Sequence, residues 1–128
     1  MVAEQVAWMR QQGIIVYLLG PVPTYSQPFP RLLAVSLRDR DPGFVARHME
    51  PEPRELDREL AALARDHWKI PYISYFENLC TPDCPNYAAP GIPMDFDGHH
   101  LTAEGSIAFA KTIRDRNQLP FATQPPVH

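Results

Sequence analysis

Two short apolar runs constrain the fold of this chain more than any other feature of its sequence. Residues 14–19 carry only aliphatic and aromatic side chains, and in residues 70–76 only Pro71 and Ser74 interrupt such a run. A run of this kind predicts a strand buried on both faces of a parallel sheet. Pro71 is compatible with this prediction because it lies near the start of its strand.

The segments around these runs have the spacing of amphipathic helices. Apolar residues recur at helical intervals over residues 2–12 and 53–67, and Thr102 is placed to cap a third helix. The predicted inner faces of the second and third helices consist of Leu56, Leu60, Leu63 and Ala64, and of Ser106, Phe109, Ala110 and Ile113. Helices that alternate with parallel strands predict an α/β fold.

Long connections separate these elements. Residues 20–52 and 77–101 are predicted to be loops, the first with one short helix near residues 30–38. Two strands are too few for a parallel sheet covered on both faces, so we expect the N-terminal strands of the fold to be missing upstream. Residues 117–128 contain three prolines and no periodic pattern, which predicts a disordered tail after a domain spanning residues 1–116.

The balance of charges argues against a nucleic-acid partner. The formal net charge is −3, and the arginines between residues 38 and 65 alternate with acidic residues instead of forming a basic face. No apolar run approaches the roughly 20 residues that a membrane span needs. Residues 1–19 do not resemble a signal peptide either, because polar residues at 10–13 interrupt the apolar stretch. If the protein works outside the cytoplasm, an upstream segment must take it there.

Both cysteines of the chain, Cys80 and Cys84, lie in one short segment around Pro82 and Asp83. As half of a zinc site they would need two further ligands, and the sequence has no second cysteine pair. A local disulfide across the Pro-Asp turn is easier to build and would indicate an oxidising compartment. Free thiols are the alternative that the spacing leaves open.

A cluster of ionisable residues immediately precedes the last predicted helix. Asp95, Asp97, His99 and His100 fall within six residues. In α/β sheets, sites assemble from loops at the carboxyl ends of strands. Because Asp97 precedes His100 by three residues in a turn, its carboxylate can accept the Nδ1 proton and leave Nε2 free to act as a base.

Three other interpretations compete with a catalytic one. A calcium loop in EF-hand register would put its first ligand at Pro93, and no helix precedes the loop. A metal site on His99 and His100 is disfavoured because adjacent histidines rarely bind one ion. Asp97 and Thr102 could instead be only turn and cap residues, and the residues alone leave this alternative open.

Four features occur in order along the chain. They are the segment Gly-Ile-Ile-Val-Tyr-Leu-Leu-Gly-Pro-Val-Pro at residues 13–23, the helix at 56–60 leading into the strand at Ile70, the Cys80 and Cys84 pair, and the block Asp97-x-x-His100-Leu101-Thr102-x-x-Gly105. With these features, the chain from about Val6 to Arg114 resembles the SGNH (GDSL-like) hydrolase family. The resemblance is strongest to the SGNH domain fused to bacterial membrane O-acyltransferases (acyltransferase family 3).

The resemblance implies a fold and a set of site residues. The fold is a partial flavodoxin-like (SGNH) three-layer α/β structure with parallel strands. The site is a Ser-His-Asp triad in which His100 is the general base and Asp97 orients it. His99 is then a neighbour, Asp95 a loop residue, and Gly105 a position where the last helix packs closely beneath the site.

The same resemblance implies a setting for the protein. The family's extracytoplasmic domains commonly carry a cysteine pair at this place, which implies a disulfide between Cys80 and Cys84. We expect a periplasmic or extracytoplasmic location as part of a membrane protein, with an upstream membrane acyltransferase domain as a possible partner. A carbohydrate or an acyl ester is the expected substrate, and the chemistry requires neither cofactor nor metal.

The nucleophile is the point at which this sequence departs from the family. SGNH enzymes carry it in an N-terminal Gly-Asp-Ser block, and they take oxyanion donors from that Ser, a Gly and an Asn. None of these blocks is present here, and the chain's serines lie in unsuitable surroundings: Ser26 in a proline-rich loop, Ser36 in a variable stretch, Ser74 within a strand, and Ser106 on the inner face of a helix.

We therefore expect the C-terminal part of a serine esterase or O-acyltransferase that adds or removes acetyl groups on cell-surface carbohydrate. By itself this chain is expected to be inactive, because an Asp/His pair without a nucleophile has nothing to activate. A non-catalytic remnant that binds a glycan or a protein is the alternative, and a gene remnant that never folds is a third possibility.

Overall fold

The structure is a computed structural model that describes residues 2–119. The predicted disordered tail begins at residue 117. Its residues 117–119 are described, and Gln118 Oε1 accepts a hydrogen bond from Asn78 Nδ2 at 3.0 Å, whereas residues from 120 onward lie outside the described residues. The elements in chain order are α1 Val2–Gln11, β1 Leu18–Leu19, α2 Phe29–Asp39, α3 Phe44–Arg47, α4 Glu52–Leu63, β2 Tyr72–Ile73, α5 Tyr75–Leu79, β3 Tyr87–Ala89, β4 Ile92–Pro93 and α6 Ala103–Asp115. A wider π-helical turn, Ala64–Trp68, continues α4.

The two predicted strands pair in parallel, and α4 lies between them in sequence. Leu18 faces Tyr72 and Leu19 faces Ile73. The backbone N–H of Gly20 donates to the carbonyl of Ile73 at 2.9 Å, which extends the ladder beyond β1. The helix-strand alternation and the parallel pairing confirm the predicted α/β fold.

The first strand is shorter and more exposed than predicted. Of residues 14–19, only Leu18 and Leu19 form a strand, and Ile15 and Leu19 are 72% and 50% exposed. The prediction of burial on both faces is therefore wrong for this run. A strand is covered on both faces only when further strands and helices flank it, and among the described residues only β2 pairs with β1.

The second strand ends earlier than predicted. The Ser74 hydroxyl accepts a hydrogen bond from the backbone N–H of Glu77 at 3.0 Å and caps α5. Ser74 therefore ends the strand, and Tyr75 and Phe76 belong to a helix. A serine hydroxyl satisfies an N–H group that a helix start leaves unpaired, which offsets the β preference of the two aromatic residues.

The predicted inner face of α4 is also partly wrong. Leu56 and Leu63 are exposed, whereas Asp57 is only 4% exposed. The Asp57 carboxylate accepts hydrogen bonds from the hydroxyls of Tyr72 at 2.8 Å and Ser74 at 2.7 Å. These two donors replace water at the carboxyl group, so a polar side chain can be buried where the helical pattern predicts leucines.

The stretch predicted as the first long loop folds into a small unit of its own. The short helix predicted near residues 30–38 is α2, and α3 follows it without having been predicted. The two helices bury their own apolar cluster of Tyr25, Phe29, Leu32, Leu33 and Val45. Short apolar stretches separated by prolines gave too weak a periodicity to predict this cluster.

The second predicted loop, residues 77–101, contains the end of α5, a hairpin and the turn that precedes α6. Strands β3 and β4 pair in antiparallel fashion. Cys80 and Cys84 are joined in a disulfide just after α5.

Helix α6 packs on the main core with a face that overlaps the predicted one in part: Phe109 and Ile113 are buried as predicted. Gly105, Phe109 and Ile113 are buried, whereas Ser106 and Ala110, predicted on the inner face, are exposed. The three buried residues are spaced by four and therefore lie on one face of the helix. Gly105 belongs to this face because the helix approaches the backbone of Met94 closely there, and a pattern of apolar side chains alone does not predict that approach. No helix among residues 2–119 is both long and apolar enough to cross a membrane.

Candidate active site

The candidate site is the tight turn that leads from β4 into α6. An isolated antiparallel bridge pairs Asp95 with Leu101, and the backbone N–H of Phe96 donates to the carbonyl of His100 at 3.1 Å. The tip of this hairpin therefore consists of Asp97, Gly98 and His99. A short hairpin of this kind fixes the backbone around each functional side chain.

Asp95 holds the turn from inside. Its side chain is 2% exposed, and its Oδ1 accepts hydrogen bonds from the backbone N–H groups of Asp97 at 3.1 Å and Gly98 at 2.6 Å. Gly98 has a φ of +95°, and a Cβ there would lie 2.8 Å from the carbonyl oxygen of Gln27. Only glycine suits this combination of backbone angle and close approach.

Asp97 is held by the turn and in turn holds His100. Its Oδ1 accepts hydrogen bonds from the backbone N–H groups of His99 and His100, both at 2.8 Å. Its Oδ2 lies 2.7 Å from Nδ1 of His100. The hydrogen bond from His100, followed by those from the two backbone N–H groups, lowers the pKa of Asp97 to about 2. The carboxylate is therefore ionised at neutral pH and acts only as an acceptor.

The ionised Asp97 determines which nitrogen of His100 is available. Since Asp97 Oδ2 can only accept, Nδ1 of His100 carries the proton and donates it to that bond. In the neutral ring Nε2 then has the free lone pair, which is the state of a general base. The His100 side chain is 70% exposed, so the imidazole lies on an open surface.

Thr102 ties the turn to the start of α6. Its hydroxyl donates to the carbonyl of Pro93 at 2.7 Å and accepts from the backbone N–H of Gly105 at 2.9 Å. A Cβ at Gly105 would lie 2.3 Å from the carbonyl oxygen of Met94. The helix thus packs closely beneath the site at Gly105, as the resemblance implies.

Comparison with known proteins was made on sequence and on structure. A family model described as SGNH domain (fused to AT3 domains) matches residues 2–115. The chain belongs to this family. The match covers the whole site, from the turn at residues 95–101 to α6.

A solved structure supports the fold of the SGNH domain. The periplasmic domain of a lipopolysaccharide acetyltransferase from Salmonella ser. Paratyphi A superposes with a TM-score of 0.73 at 19% sequence identity. The alignment covers 90% of this chain but 47% of that one, so the chain spans about half of the Salmonella domain. No curated protein matches the sequence significantly.

Of the four serines of this SGNH domain, Ser26 is exposed, and two others form hydrogen bonds with partners other than His100. Ser74 caps α5 and donates to Asp57, Ser36 donates to the carbonyl of Asp41, and Ser106 is exposed on α6. Within residues 2–119 no serine hydroxyl forms a hydrogen bond with His100. The expectation that the nucleophile lies outside this sequence stays a prediction.

Sequence reasoning missed the role of Asp95, which was expected to be a plain loop residue. The spacing Asp95-x-Asp97-Gly98, a carboxylate two and three residues ahead of backbone donors, is the signal that could have shown it. Within the described part of the chain Asp95 Oδ2 is buried without a hydrogen-bond partner. Burial raises the pKa of this carboxyl.

The alternative metal interpretations find no ligand set in the described structure. Among residues 2–119, no three or more His, Cys, Asp or Glu side chains are arranged to hold a metal ion. Asp97 uses both carboxylate oxygens for the turn and for His100.

Proposed function

We propose that this chain is the part of an SGNH serine esterase or O-acyltransferase that supplies His100 as general base and Asp97 as its orienting carboxylate. The observation that carries the proposal is the 2.7 Å contact between Asp97 Oδ2 and His100 Nδ1, made by a carboxylate that two backbone N–H groups hold in place. A carboxylate used only to cap a turn would not need its second oxygen on an imidazole.

The chemistry follows from the free nitrogen of His100. A serine hydroxyl attacks the acyl carbonyl while Nε2 takes its proton, and the ionised Asp97 stabilises the imidazolium that forms. The tetrahedral intermediate then expels the alcohol, which receives that proton, and leaves an acyl-serine. Water completes hydrolysis, or a sugar hydroxyl completes transfer, with His100 taking the proton of the acceptor and returning it to the serine.

The serine and the oxyanion donors are proposed to come from residues outside this sequence. The exposed apolar surface at β1 supports this proposal, because Ile15 and Leu19 are 72% and 50% exposed there. Burying such side chains contributes about 1.5–3 kcal/mol each. This surface is therefore suited to contact a further part of the same domain, and the Salmonella structure extends well beyond the aligned region.

The proposed substrate is an acyl ester, most simply acetyl, on a cell-surface carbohydrate. Two facts support it: the family consists of SGNH domains fused to AT3 domains, and the similar solved structure belongs to a lipopolysaccharide acetyltransferase. The proposed location is periplasmic, with a membrane acyltransferase domain upstream in the same protein. The disulfide between Cys80 and Cys84 suits an oxidising compartment of this kind.

A non-catalytic binding domain is the second candidate. The 70% exposure of the His100 side chain favours this candidate. An exposed imidazole can contact a glycan or a partner protein as readily as it can contact a catalytic serine. The two functions differ in one property: only the enzyme needs His100 to remove a proton from a serine.

A serine-directed probe separates the two functions. The coding sequence upstream of this chain would be read in the same frame, and the longer protein treated with a fluorophosphonate, which labels only activated serines. We expect an upstream Gly-Asp-Ser block, labelling of its serine, loss of labelling in His100→Gln, and normal labelling in His99→Gln. An open frame without such a block, or equal labelling of His100→Gln and the parent protein, would contradict the proposal.

A further inference from the structure

An exposed aromatic ring lies beside the proposed base. Phe96 is 53% exposed and belongs to none of the three apolar clusters formed by the described residues. Its ring is nearly parallel to the imidazole of His100, with an interplanar angle of 22° and 5.9 Å between ring centroids. Single exposed apolar side chains are common at protein surfaces, so the informative observation is the contact of Phe96 with His100 and not its exposure.

The backbone imposes this arrangement. The bridge between Asp95 and Leu101 and the hydrogen bond from Phe96 N–H to His100 C=O set a register in which residues 96 and 100 face each other. Residues directly opposite in an antiparallel pair project to the same face of the ladder. The register of this hairpin therefore places the side chain of Phe96 beside that of His100.

We propose that Phe96 is a positioning residue for His100, a role that rests on the proposed function of that histidine. The hydrogen bond to Asp97 fixes one ring nitrogen but leaves the imidazole free to swing about that contact. The phenyl ring closes one side of this motion, since offset parallel rings attract each other and exclude water between them. Nε2 is thereby held in the direction required for proton transfer.

This role differs from that of a residue that merely packs against the rest of the domain. Loss of a packing residue lowers stability and leaves the turnover of the folded protein unchanged. Loss of a positioning residue lowers kcat, because the base reaches the reactive geometry in a smaller fraction of encounters, and leaves substrate binding almost unchanged.

The contact can be tested on this chain alone by NMR. Replacing Phe96 with Leu removes the ring current from the carbon-bound protons of His100, so their resonances are expected to move. The resonances of the corresponding protons of His99, which lies on the same turn, are expected to move much less. Their change should be no larger than the change that a control substitution, Tyr87→Leu, causes. Tyr87 is a matched control because it is an exposed aromatic residue, 40% exposed, in β3. Equal changes at His99 and His100 would overturn the contact.

The positioning role is tested in the longer protein that contains this chain and whose serine reacts with the fluorophosphonate. We expect Phe96→Leu to lower kcat about tenfold with KM changed less than twofold, and Phe96→Tyr to restore kcat. The loss should vanish in a His100→Gln background, because the two residues act on one step. Parent-like kcat in Phe96→Leu would overturn the positioning role, whereas parent-like kcat in His100→Gln would instead overturn the proposed function while the NMR contact stands.

Discussion

The Oδ1 atom of Asp95 accepts a hydrogen bond of 3.1 Å from the backbone N–H of Asp97, and this contact fixes the position of Asp97. The same oxygen accepts from Gly98 at 2.6 Å, and Asp97 uses its own Oδ1 in the same way one step further along the turn. The side chains of Asp95 and Asp97 thus stabilise two consecutive turns of the backbone. The carboxyl group of Asp95 is buried, and that of Asp97 contacts the imidazole of His100. The orientation of His100 depends on both.

The two acceptor bonds of Asp95 predict the effect of its replacement. Asp95→Ala leaves two backbone N–H groups without partners, and we expect it to lower the free energy of unfolding by about 1–3 kcal/mol. Asp95→Asn keeps an acceptor oxygen for these two N–H groups, so it should lose less than Asp95→Ala. Urea unfolding measures both variants, with the exposed Asp66→Ala as control. Equal loss in the Asn and Ala variants would contradict the role of that oxygen.

The contact between Asp97 and His100 predicts a pH dependence. The pKa of Asp97 is lowered to about 2, chiefly by the hydrogen bond from His100. Its stabilising contribution is therefore fully present above the unfolded value near 3.9 and is lost as the pH falls toward 2. In His100→Gln the pKa of Asp97 should rise toward its ordinary value, measured by NMR on the carboxyl carbon. An unchanged value would mean that the imidazole is not the partner.

The close approach of α6 predicts an unusual response to alanine. Alanine is favoured over glycine by up to about 1 kcal/mol within a helix. A Cβ at Gly105, however, would lie 2.3 Å from the backbone carbonyl oxygen of Met94. We expect Gly105→Ala to lose about 1–3 kcal/mol in urea unfolding, as overpacked sites do, while the adjacent, exposed Ser106→Ala stays within about 0.5 kcal/mol. Stabilisation by Gly105→Ala would show that the helix does not approach this closely.

The buried carboxylate of α4 predicts a further difference. Asp57→Ala leaves the hydroxyls of Tyr72 and Ser74 without their acceptor, and we expect a loss of about 1–3 kcal/mol in urea unfolding. Leu56→Ala, one residue away on the exposed face, should cost much less. The reverse order would support the face that the apolar pattern predicts.

The sequence predicts the parts of this fold that depend on local pattern. The alternation of helices and strands is present, and the block from Asp97 to Gly105 lies in the turn and helix start that its residues indicate. The length of β1 and the burial of Ile15 depend on which strands flank β1, and no local pattern contains that information.

The remaining differences arise where one polar contact outweighs an apolar pattern. Asp57 takes a buried position because the hydroxyls of Tyr72 in β2 and of Ser74 just after it reach its carboxylate. Ser74 ends a strand because its hydroxyl starts a helix. Asp95 becomes the inner support of the site because its carboxylate faces two backbone donors. The partners of Asp57 lie 15 and 17 residues away and become evident only when the chain is folded, whereas the backbone N–H partners of Ser74 and Asp95 lie within three residues.

Hydrolysis of an acetyl ester by the longer protein that carries this chain tests the central claim most directly. The measurement compares kcat/KM of the parent with those of His100→Gln and His99→Gln at neutral pH. If His100 is the general base, its variant loses about 10²–10⁴-fold and the His99 variant stays within a few-fold of the parent. If both variants retain the activity of the parent, His100 does not remove the proton and the proposed role of this chain is wrong.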